Sequence, residues 1–530
     1  METHEVVIVG AGPVGLSAAI DLRQRGVDAI LLEEKNDFAE GSRAICFAKR
    51  TLEIFSRLGI AGMTQKGVVW HKGKVFHRER MLYEFDLLPE KDHGHPAFVN
   101  IQQFYCEHYL LQRLHEIDRH CLRRGHRAVA VTQEADQVMV TTESDGVEKC
   151  FSASFILACD GAKSRLRDAC RLGFVGDVFR DRFLISDIKM KSDFPSERWF
   201  WFDPPFHPGR SALLHKQPDD VWRIDLQLGW HADPSEERRP DKVIPRLRAM
   251  LGKNTAFELV WVSVYAFQSR RVEHFNCGRI FFAGDAAHQV SPFGARGANS
   301  GVQDVDNLCW KIALVLRHRA PSALLDTYHA ERAPAADDNI LHSSRSTNFI
   351  APPNDAAQAF RDAALSLAAE HPPMRRYVNS GRLSTAAVYA NSPLNGGDDF
   401  TADGSAPGSA VADAPIVRCG QTDWLINVLR DDFNLLLFTA PDDNLRRQAA
   451  DCENKLPLTC HFIAPQGGGD WLGDGKDLAR RRLGVDQQAA VVIRPDGHVC
   501  ARLAAGGDGA AGALAKGAAV VSSICRRGVA

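Results

Sequence analysis

The first residues that could do chemistry form a glycine-rich turn near the start of the chain, Gly10-Ala11-Gly12-Pro13-Val14-Gly15. This is the G-x-G-x-x-G pattern. Gly10 permits the tight turn, Gly12 lets the backbone approach a pyrophosphate, and Gly15 lets a helix pack closely on a strand. The following helix would direct free N–H groups and a positive dipole end at the phosphates. The motif predicts dinucleotide binding, with a ligand-free glycine turn as the alternative.

An acidic side chain stands where this fingerprint requires one. Glu33 ends the second apolar strand, about 20 residues after Gly12, and would accept hydrogen bonds from ribose hydroxyls. Glu34 follows it and is included in the predicted site. The fingerprint by itself does not distinguish NAD from FAD.

Two later motifs favour FAD over NAD. One is Cys159-Asp160-Gly161-Ala162-Lys163-Ser164-Arg165-Leu166-Arg167, and the other runs from Gly284-Asp285-Ala286-Ala287-His288 to Pro292-Phe293-Gly294-Ala295-Arg296-Gly297-Ala298-Asn299-Ser300-Gly301. They resemble the "DG" and "GD" elements of flavoprotein aromatic hydroxylases. On these residues the chain resembles the group A flavin-dependent monooxygenases, in the branch of phenol hydroxylases and 3-(3-hydroxyphenyl)propionate hydroxylases. Taken alone, Asp285 would more readily be interpreted as a turn or N-cap aspartate.

The resemblance implies an FAD site and a role for each matching residue. Asp285 would bind a ribityl hydroxyl, Asp160 would lie near FAD and NAD(P)H, and Arg43 and Gln103 would contact the ribose, pyrophosphate or ribityl region. Backbone groups of Gly294, Gly297 and Asn299 would face the isoalloxazine ring. Many relatives have Gly-Gln-Gly at this turn, so the groups that face the ring stay open. The predicted cofactor site comprises Gly10, Gly12, Pro13, Val14, Gly15, Glu33, Glu34, Arg43, Gln103, Asp160, Gly284, Asp285, Pro292, Gly294, Gly297, Ala298 and Asn299.

The family's chemistry implies a monooxygenase that uses NADH or NADPH and O2. It would hydroxylate a phenolic or other electron-rich aromatic compound through a flavin C4a-hydroperoxide. No second β-α-β unit with this fingerprint is recognised, so NAD(P)H would dock transiently. One alternative is an FAD-dependent dehydrogenase or oxidase of the same fold, although a disulfide reductase would need paired cysteines that the chain lacks. Another is a non-catalytic flavin-binding redox sensor.

Three residues are candidates for handling the substrate, which in the family lies between an inserted sheet and the flavin. Arg223 would face the cofactor, or else form an Arg–Asp pair on a solvated strand face. His215 could activate a phenol, because the pKa of histidine lies near neutrality, or could be a structural histidine. Tyr265 could bind a substrate hydroxyl or simply pack.

The elements that must position these residues predict an α/β fold. A β-α-β unit opens a Rossmann-type FAD-binding domain, which spans 1–180 and resumes at 270–385. An antiparallel, tryptophan-rich sheet is inserted at 181–269. A linker rich in Gly, Asp and Pro (386–415) leads to a thioredoxin-like C-terminal domain (416–530) that lacks C-x-x-C.

The composition limits the classes of partner. The net charge of −2 over 530 residues does not favour nucleic acid, and no apolar run reaches the ~20 residues of a membrane helix. The 13 cysteines are scattered and show no zinc spacing, so no metal site is predicted. We expect free thiols in a cytoplasmic protein, with a small aromatic substrate and O2 as partners and a homodimeric assembly.

Overall fold

The computed structural model describes residues 1–37, 44–378, 383–429 and 431–527. Its first part contains β1 (Glu2–Val9), α1 (Pro13–Gln24), β2 (Ala29–Glu33), β3 (Cys46–Ala48), α2 (Lys49–Arg57), α3 (Met63–Lys66), β4 (Val68–Trp70), β5 (Lys72–His77), β6 (Arg80–Asp86), β7 (Phe98–Asn100), α4 (Gln103–Ile117), β8 (Leu122–Arg124), β9 (Arg127–Gln133), β10 (Val138–Ser144), β11 (Val147–Ala158) and α5 (Arg165–Ala169). The middle part contains β12 (Phe174–Lys189), β13 (Arg198–Phe202), β14 (Ser211–Lys216), β15 (Val221–Gln227), α6 (Pro234–Glu237), α7 (Pro240–Leu251), β16 (Glu258–Val272), β17 (Asn276–Cys277), β18 (Ile280–Phe282), β19 (His288–Gln289), α8 (Gly297–Leu316), α9 (Asp326–Ile350) and α10 (Asp355–Ala368). The last part contains β20 (Pro415–Arg418), β21 (Gln421–Trp424), α11 (Leu425–Val428), β22 (Phe433–Leu437), α12 (Asp443–Lys455), β23 (Leu458–Ala464), β24 (Leu472–Gly473), α13 (Leu478–Leu483), β25 (Ala490–Ile493), β26 (Val499–Leu503) and α14 (Gly509–Arg527).

The first sheet is the predicted nucleotide-binding layer. Its strands lie in the order β17-β18-β11-β1-β2-β8, and β18, β11, β1, β2 and β8 run parallel. The apolar run Val6–Val9 is buried, as expected for a strand of a parallel sheet that is covered on both faces. Helices α1 and α8 pack against each other beside this sheet. The carboxyl ends of β1 and β11 therefore place Gly10 next to Cys159.

The second sheet is the predicted insert. Its order is β19-β16-β12-β15-β14-β13-β5-β6, and every neighbouring pair is antiparallel except β13 and β5. Strands β5 and β6 precede the predicted insert of 181–269 in the sequence, so the sheet is larger than that segment. Along β13, Trp199 and Trp201 pack on the face that α7 covers, whereas Phe200 and Phe202 belong to the opposite face.

The C-terminal sheet has the order β21-β20-β24-β23-β22-β25-β26. Strands β22 and β23 are parallel and joined by α12, and β25 and β26 then add antiparallel strands before α14. This is the thioredoxin-like arrangement, and the predicted α/β fold class is confirmed. Trp310 of α8 contacts Phe433 edge-to-face, so the two domains share a buried apolar cluster. Within the described residues, no helix combines the length and apolar character that crossing a bilayer requires.

Candidate active site

In the glycine turn after β1, Gly10 and Gly15 pack against backbone atoms, whereas Gly12, at the N-terminus of α1, faces open space. Gly10 has φ +103°, and a Cβ on Gly15 would lie 1.9 Å from the Gly10 carbonyl oxygen, so both positions require glycine. A Cβ on Gly12 would meet no atom of the described chain within 4 Å. Gly12 is the N-cap of α1 and supplies no side-chain cap to the free N–H groups. This open, N–H-lined space fits the pyrophosphate of FAD.

Glu33 stabilises this turn as well as facing the ribose position. One carboxylate oxygen accepts the N–H of Ala11 at 2.7 Å, and the other accepts the N–H of Lys35 at 3.0 Å. Each oxygen keeps a lone pair for a ribose hydroxyl. Glu34 is exposed beside it, and Pro13 and Val14 form the first turn of α1. The cofactor contacts of these residues stay predictions.

The "DG" element follows β11 and carries an unsatisfied acceptor. Asp160 accepts the N–H of Leu166 through Oδ2 at 3.3 Å, while its buried Oδ1 has no partner among the described residues. Burial raises the pKa of this carboxyl. A buried acceptor without a donor costs free energy, and a hydroxyl of a bound nucleotide would supply that donor. Asp160 therefore also fits an FAD site.

Two predicted cofactor contacts involve the segment that follows β2. Arg43 falls outside the described residues. Gln103, at the start of α4, accepts the N–H of Ala44 at 3.0 Å and donates to Glu107 at 2.8 Å. Gln103 thus anchors the chain directly after that segment, and its contact with the cofactor stays a prediction.

The "GD" element brings an acidic side chain to the N-terminus of α8. Gly284 donates its N–H to Asp304 at 2.9 Å, which fixes the turn. The exposed Asp285 carboxylate lies close to α8, since a Cβ on Gly297 would be 4.0 Å from its Oδ1. This places Asp285 beside the open first turn of a long helix.

The turn before α8 places backbone groups against the predicted ring position. Gly294 has φ +115° and Ala295 has φ +53°, so both residues adopt left-handed conformations. Helix α8 begins at Gly297 and Ala298 without a side-chain cap, and Pro292 is exposed ahead of the turn.

Asn299 holds this turn through its side chain. Its amide donates to the carbonyl oxygens of Cys46 and Ala295 and accepts from Ala48 N–H and Thr51 Oγ1. All of its hydrogen-bonding capacity is therefore used within the protein. Asn299 positions the helix start rather than offering its own side chain to a ring.

A partly open cavity separates this turn from the inner face of the inserted sheet, and its free space of about 420 Å³ includes open solvent. Phe200 and Phe202 have ring centroids 4.7 Å apart, and Phe293 packs edge-to-face on Phe183 at 4.8 Å. The lining residues are Lys74, Phe85, Arg198, Phe200, Phe202, Phe293, Gly294, Ser346, Ile350 and Leu383.

The three predicted substrate residues lie on the inserted sheet in different environments. Arg223 is buried and forms a bidentate pair with Asp187, with both N···O distances at 2.8 Å, so it is not on a solvated face. His215 lies opposite Arg223 on the neighbouring strand, and burial together with Arg198 and Arg223 holds its pKa well below the usual value. Tyr265 is half-buried, and the centroid of its ring lies 6.3 Å from that of Trp261. Their roles toward substrate stay predictions.

Sequence reasoning missed two charged side chains on the same face. Arg198 lines the cavity. Its positive charge also acts on the carboxyl group of Asp225. Burial raises the pKa of Asp225 to about 7, and its Oδ1 has no partner among the described residues. The alternation of Arg198, Phe200 and Phe202 with two tryptophans is a period-2 signal that would have placed Arg198 on this face.

A buried charge network supports the site from behind. Asp304, which holds Gly284, also lies 2.7 Å from His288 Nε2 and accepts from Arg332 Nε at 2.6 Å. Glu331, which precedes Arg332 on α9, accepts from Lys311 Nζ at 2.7 Å and pairs with Arg494 of the C-terminal domain. This network ties α8 and α9 to β25.

An open pyrophosphate cradle beside a partly open cavity with several aromatic side chains is the arrangement of a flavin-dependent oxygenase of the Rossmann type. Residues 3–343 match the family model described as "FAD binding domain", and the chain belongs to this family. The 6-methylpretetramide 4-monooxygenase of Streptomyces rimosus is 31% identical over 514 residues, which cover 94% of this chain and 90% of that protein.

Further relatives agree with this assignment. The 3-(3-hydroxy-phenyl)propionate/3-hydroxycinnamic acid hydroxylase of Mycolicibacterium smegmatis is 28% identical, with 93% and 89% of the two chains covered. The solved structure of the flavin-dependent monooxygenase PieE with FAD and substrate has the same fold, with a TM-score of 0.83 at 22% identity and coverage of 98% and 99%. The expected group A flavin-dependent monooxygenase, with FAD as cofactor, is confirmed.

Proposed function

We propose that this enzyme hydroxylates a phenolic compound held in the cavity between the inserted sheet and the Phe293–Gly294 turn, using O2 and NADH or NADPH. The observation that carries the proposal is the cavity itself, whose phenylalanine side chains face the predicted ring position. Such a lining stacks against an aromatic substrate and excludes water. The two relatives described above are named for 6-methylpretetramide and for 3-(3-hydroxy-phenyl)propionate or 3-hydroxycinnamic acid. These names support the same class of substrate.

The chain's own residues prepare the reaction. FAD, when bound, supplies the redox chemistry, in which NAD(P)H is the reductant and O2 the oxidant. The first N–H groups of α8 present a positive dipole end to negative charge that develops next to Gly294. Two candidate acceptors for the phenol proton lie on the inner face of the inserted sheet beside the cavity-lining Arg198, namely Asp225 Oδ1 and His215 Nδ1, and neither has a partner among the described residues. Of these, Asp225 is the better base near neutrality, because its pKa is about 7.

A panel of phenols tests this proposal. Substituted phenols, hydroxylated aromatic acids and polycyclic phenols are each added to the FAD-loaded enzyme with NADH or NADPH under ¹⁸O2. We expect at least one compound to stimulate nicotinamide oxidation and to gain one labelled oxygen by mass spectrometry. Stimulated oxidation without a labelled product from any phenol would contradict hydroxylation and favour a dehydrogenase or oxidase.

Filling the cavity should block substrate without removing FAD. Ser346 lines the cavity and donates to the carbonyl oxygen of His342, four residues earlier on α9. Ser346→Leu should raise the KM for the phenol roughly 10- to 100-fold, because overpacking a filled site costs about 1–3 kcal/mol. Steady-state kinetics and the flavin absorption spectrum measure the two effects.

The matched control is Ser366→Leu. Ser366 makes the same contact to the carbonyl oxygen of Asp362 on α10, but it is exposed. We expect its KM to equal that of the wild type. An unchanged KM in Ser346→Leu would mean that substrate binds elsewhere.

The location and assembly of the enzyme are further parts of the proposal. We propose a homodimer in the cytoplasm. All 13 cysteines are free, which fits a reducing compartment. Light scattering of the purified holoenzyme at several concentrations would test the dimer, and a monomeric mass throughout would contradict it.

A further inference from the structure

Arg198 is a buried cation that has no committed partner. Its side chain is 8% exposed and shares a face of β13 with Phe200 and Phe202, toward the cavity. It makes no hydrogen bond or ion pair with any residue that the structure describes, in contrast to Arg223 on the same face, which is paired with Asp187. Burying a guanidinium without a partner is costly, and buried charges are normally paired.

The neighbouring groups leave the charge of Arg198 uncompensated. Asp187 is engaged by Arg223, and burial together with the two arginines keeps His215 neutral. Burial raises the pKa of the Cys46 thiol to about 12, so it carries no charge at neutral pH. Asp225 is ionised only in part near neutrality. The inner face therefore has room for one negative charge from a ligand.

We infer that Arg198 is a specificity-determining residue that binds an anionic oxygen of the substrate, either a carboxylate or an ionised phenol or enol. The inference rests on the proposed function, in that it places the substrate in the same cavity. The guanidinium offers five N–H donors in a planar fork, which suits either kind of oxyanion. The aromatic lining would then hold the ring, and Arg198 would fix its orientation.

Equilibrium binding to the FAD-loaded enzyme tests this without turnover. Isothermal titration calorimetry compares two pairs of probes, 3-(3-hydroxyphenyl)propionate with its amide for the carboxylate, and 4-nitrophenol with 4-nitroanisole for the phenolate. We expect wild type to bind the anionic member of at least one pair roughly 10- to 100-fold more tightly than the neutral member. The pair that shows the preference identifies the source of the oxyanion.

Three variants test whether Arg198 causes the preference for the anionic probe. Arg198→Met should lose the preference, and Arg198→Lys should keep part of it because the charge remains. Lys216→Met removes a cation from the opposite face of the same sheet, where it lies over Trp222, and should bind like wild type. Flavin content and melting temperature show whether each variant is folded.

Two results would overturn the inference. One is a wild-type enzyme that prefers neither anionic probe, and the other is a folded Arg198→Met enzyme that keeps the full preference. If labelled phenolic products still form in either case, only the inference fails. If the anion preference depends on Arg198 but no phenol is hydroxylated, the proposed function fails instead.

The pH dependence of binding provides a second test of the same contact. The charged and titratable groups around Arg198 are Asp225, Cys46 and His215, the Arg223–Asp187 pair next to His215, and Lys74, which lines the same cavity. Of these, Asp225 changes its charge near pH 7 and then competes for the guanidinium. The affinity for the carboxylate probe should therefore fall as pH rises through about 7, and Asp225→Asn should flatten the curve. A fall of equal size in Asp225→Asn would contradict this account.

Discussion

Replacing Gly12 with valine is expected to give a folded but colourless protein. A side chain at this position meets no atom of the described chain within 4 Å, so the fold has room for it. The same space lies at the N-terminus of α1, where the pyrophosphate of FAD requires close approach to the backbone. We expect FAD affinity to fall roughly 10- to 100-fold or more, since forcing atoms into a filled site costs at least about 1–3 kcal/mol. Flavin absorption after reconstitution and circular dichroism measure cofactor and fold separately.

Gly469→Val is the matched control for this change. Gly469 also has open space around its Cβ position and no positive φ, but it lies in the C-terminal domain. We expect this variant to remain yellow with the affinity of wild type. A Gly12→Val protein that binds FAD normally would show that the pyrophosphate does not lie at this turn.

Removing the charge of Glu331 should cause the largest loss of stability. This carboxylate is fully buried and lies between Lys311 and Arg494, which hold its pKa well below the usual range although burial alone would raise it. Glu331→Gln leaves two buried cations without their shared anion. We expect the free energy of unfolding to fall by about 3–5 kcal/mol, as when one partner of a buried ion pair is removed. Urea denaturation followed by circular dichroism measures the change.

An exposed ion pair provides the comparison for this loss. Asp443 pairs with Arg446 on the surface of α12, and its side chain is 95% exposed. Asp443→Asn should unfold at the same urea concentration as wild type, because solvent-exposed pairs contribute little. Equal effects of the two substitutions would mean that the Glu331 network does not connect the domains energetically. Early loss of FAD from Glu331→Gln during denaturation would further indicate that the network supports α8.

Local patterns predicted the parts of the protein that depend on neighbours in sequence. The turn at Gly10 to Gly15 requires three glycines at set spacing, because a Cβ at Gly10 or Gly15 would collide with nearby backbone. The apolar run Val6–Val9 predicted a buried strand, and the structure has one. The thioredoxin-like outline was similarly visible in short apolar runs such as Val491–Ile493.

The pairing of strands that lie far apart in the sequence could not be predicted from local patterns. Strands β5 and β6 join the inserted sheet from more than 100 residues earlier in the chain, through a single parallel pairing with β13. A pattern of alternation predicts a strand but does not identify its partner. For the same reason the sequence offered an Arg–Asp pair for Arg223 without identifying its partner, which is Asp187 on the neighbouring strand.

The sequence by itself predicted a dinucleotide at the N-terminal turn, since that requirement is steric and local. The family resemblance then specified FAD and aromatic hydroxylation. Only the tertiary structure decided which charged side chains share the inner face of the sheet, because burial and cross-strand neighbours set the charge state of His215 and Asp225 and leave Arg198 without a partner among the described residues. Those properties belong to the assembled face of the sheet, and no single strand contains them.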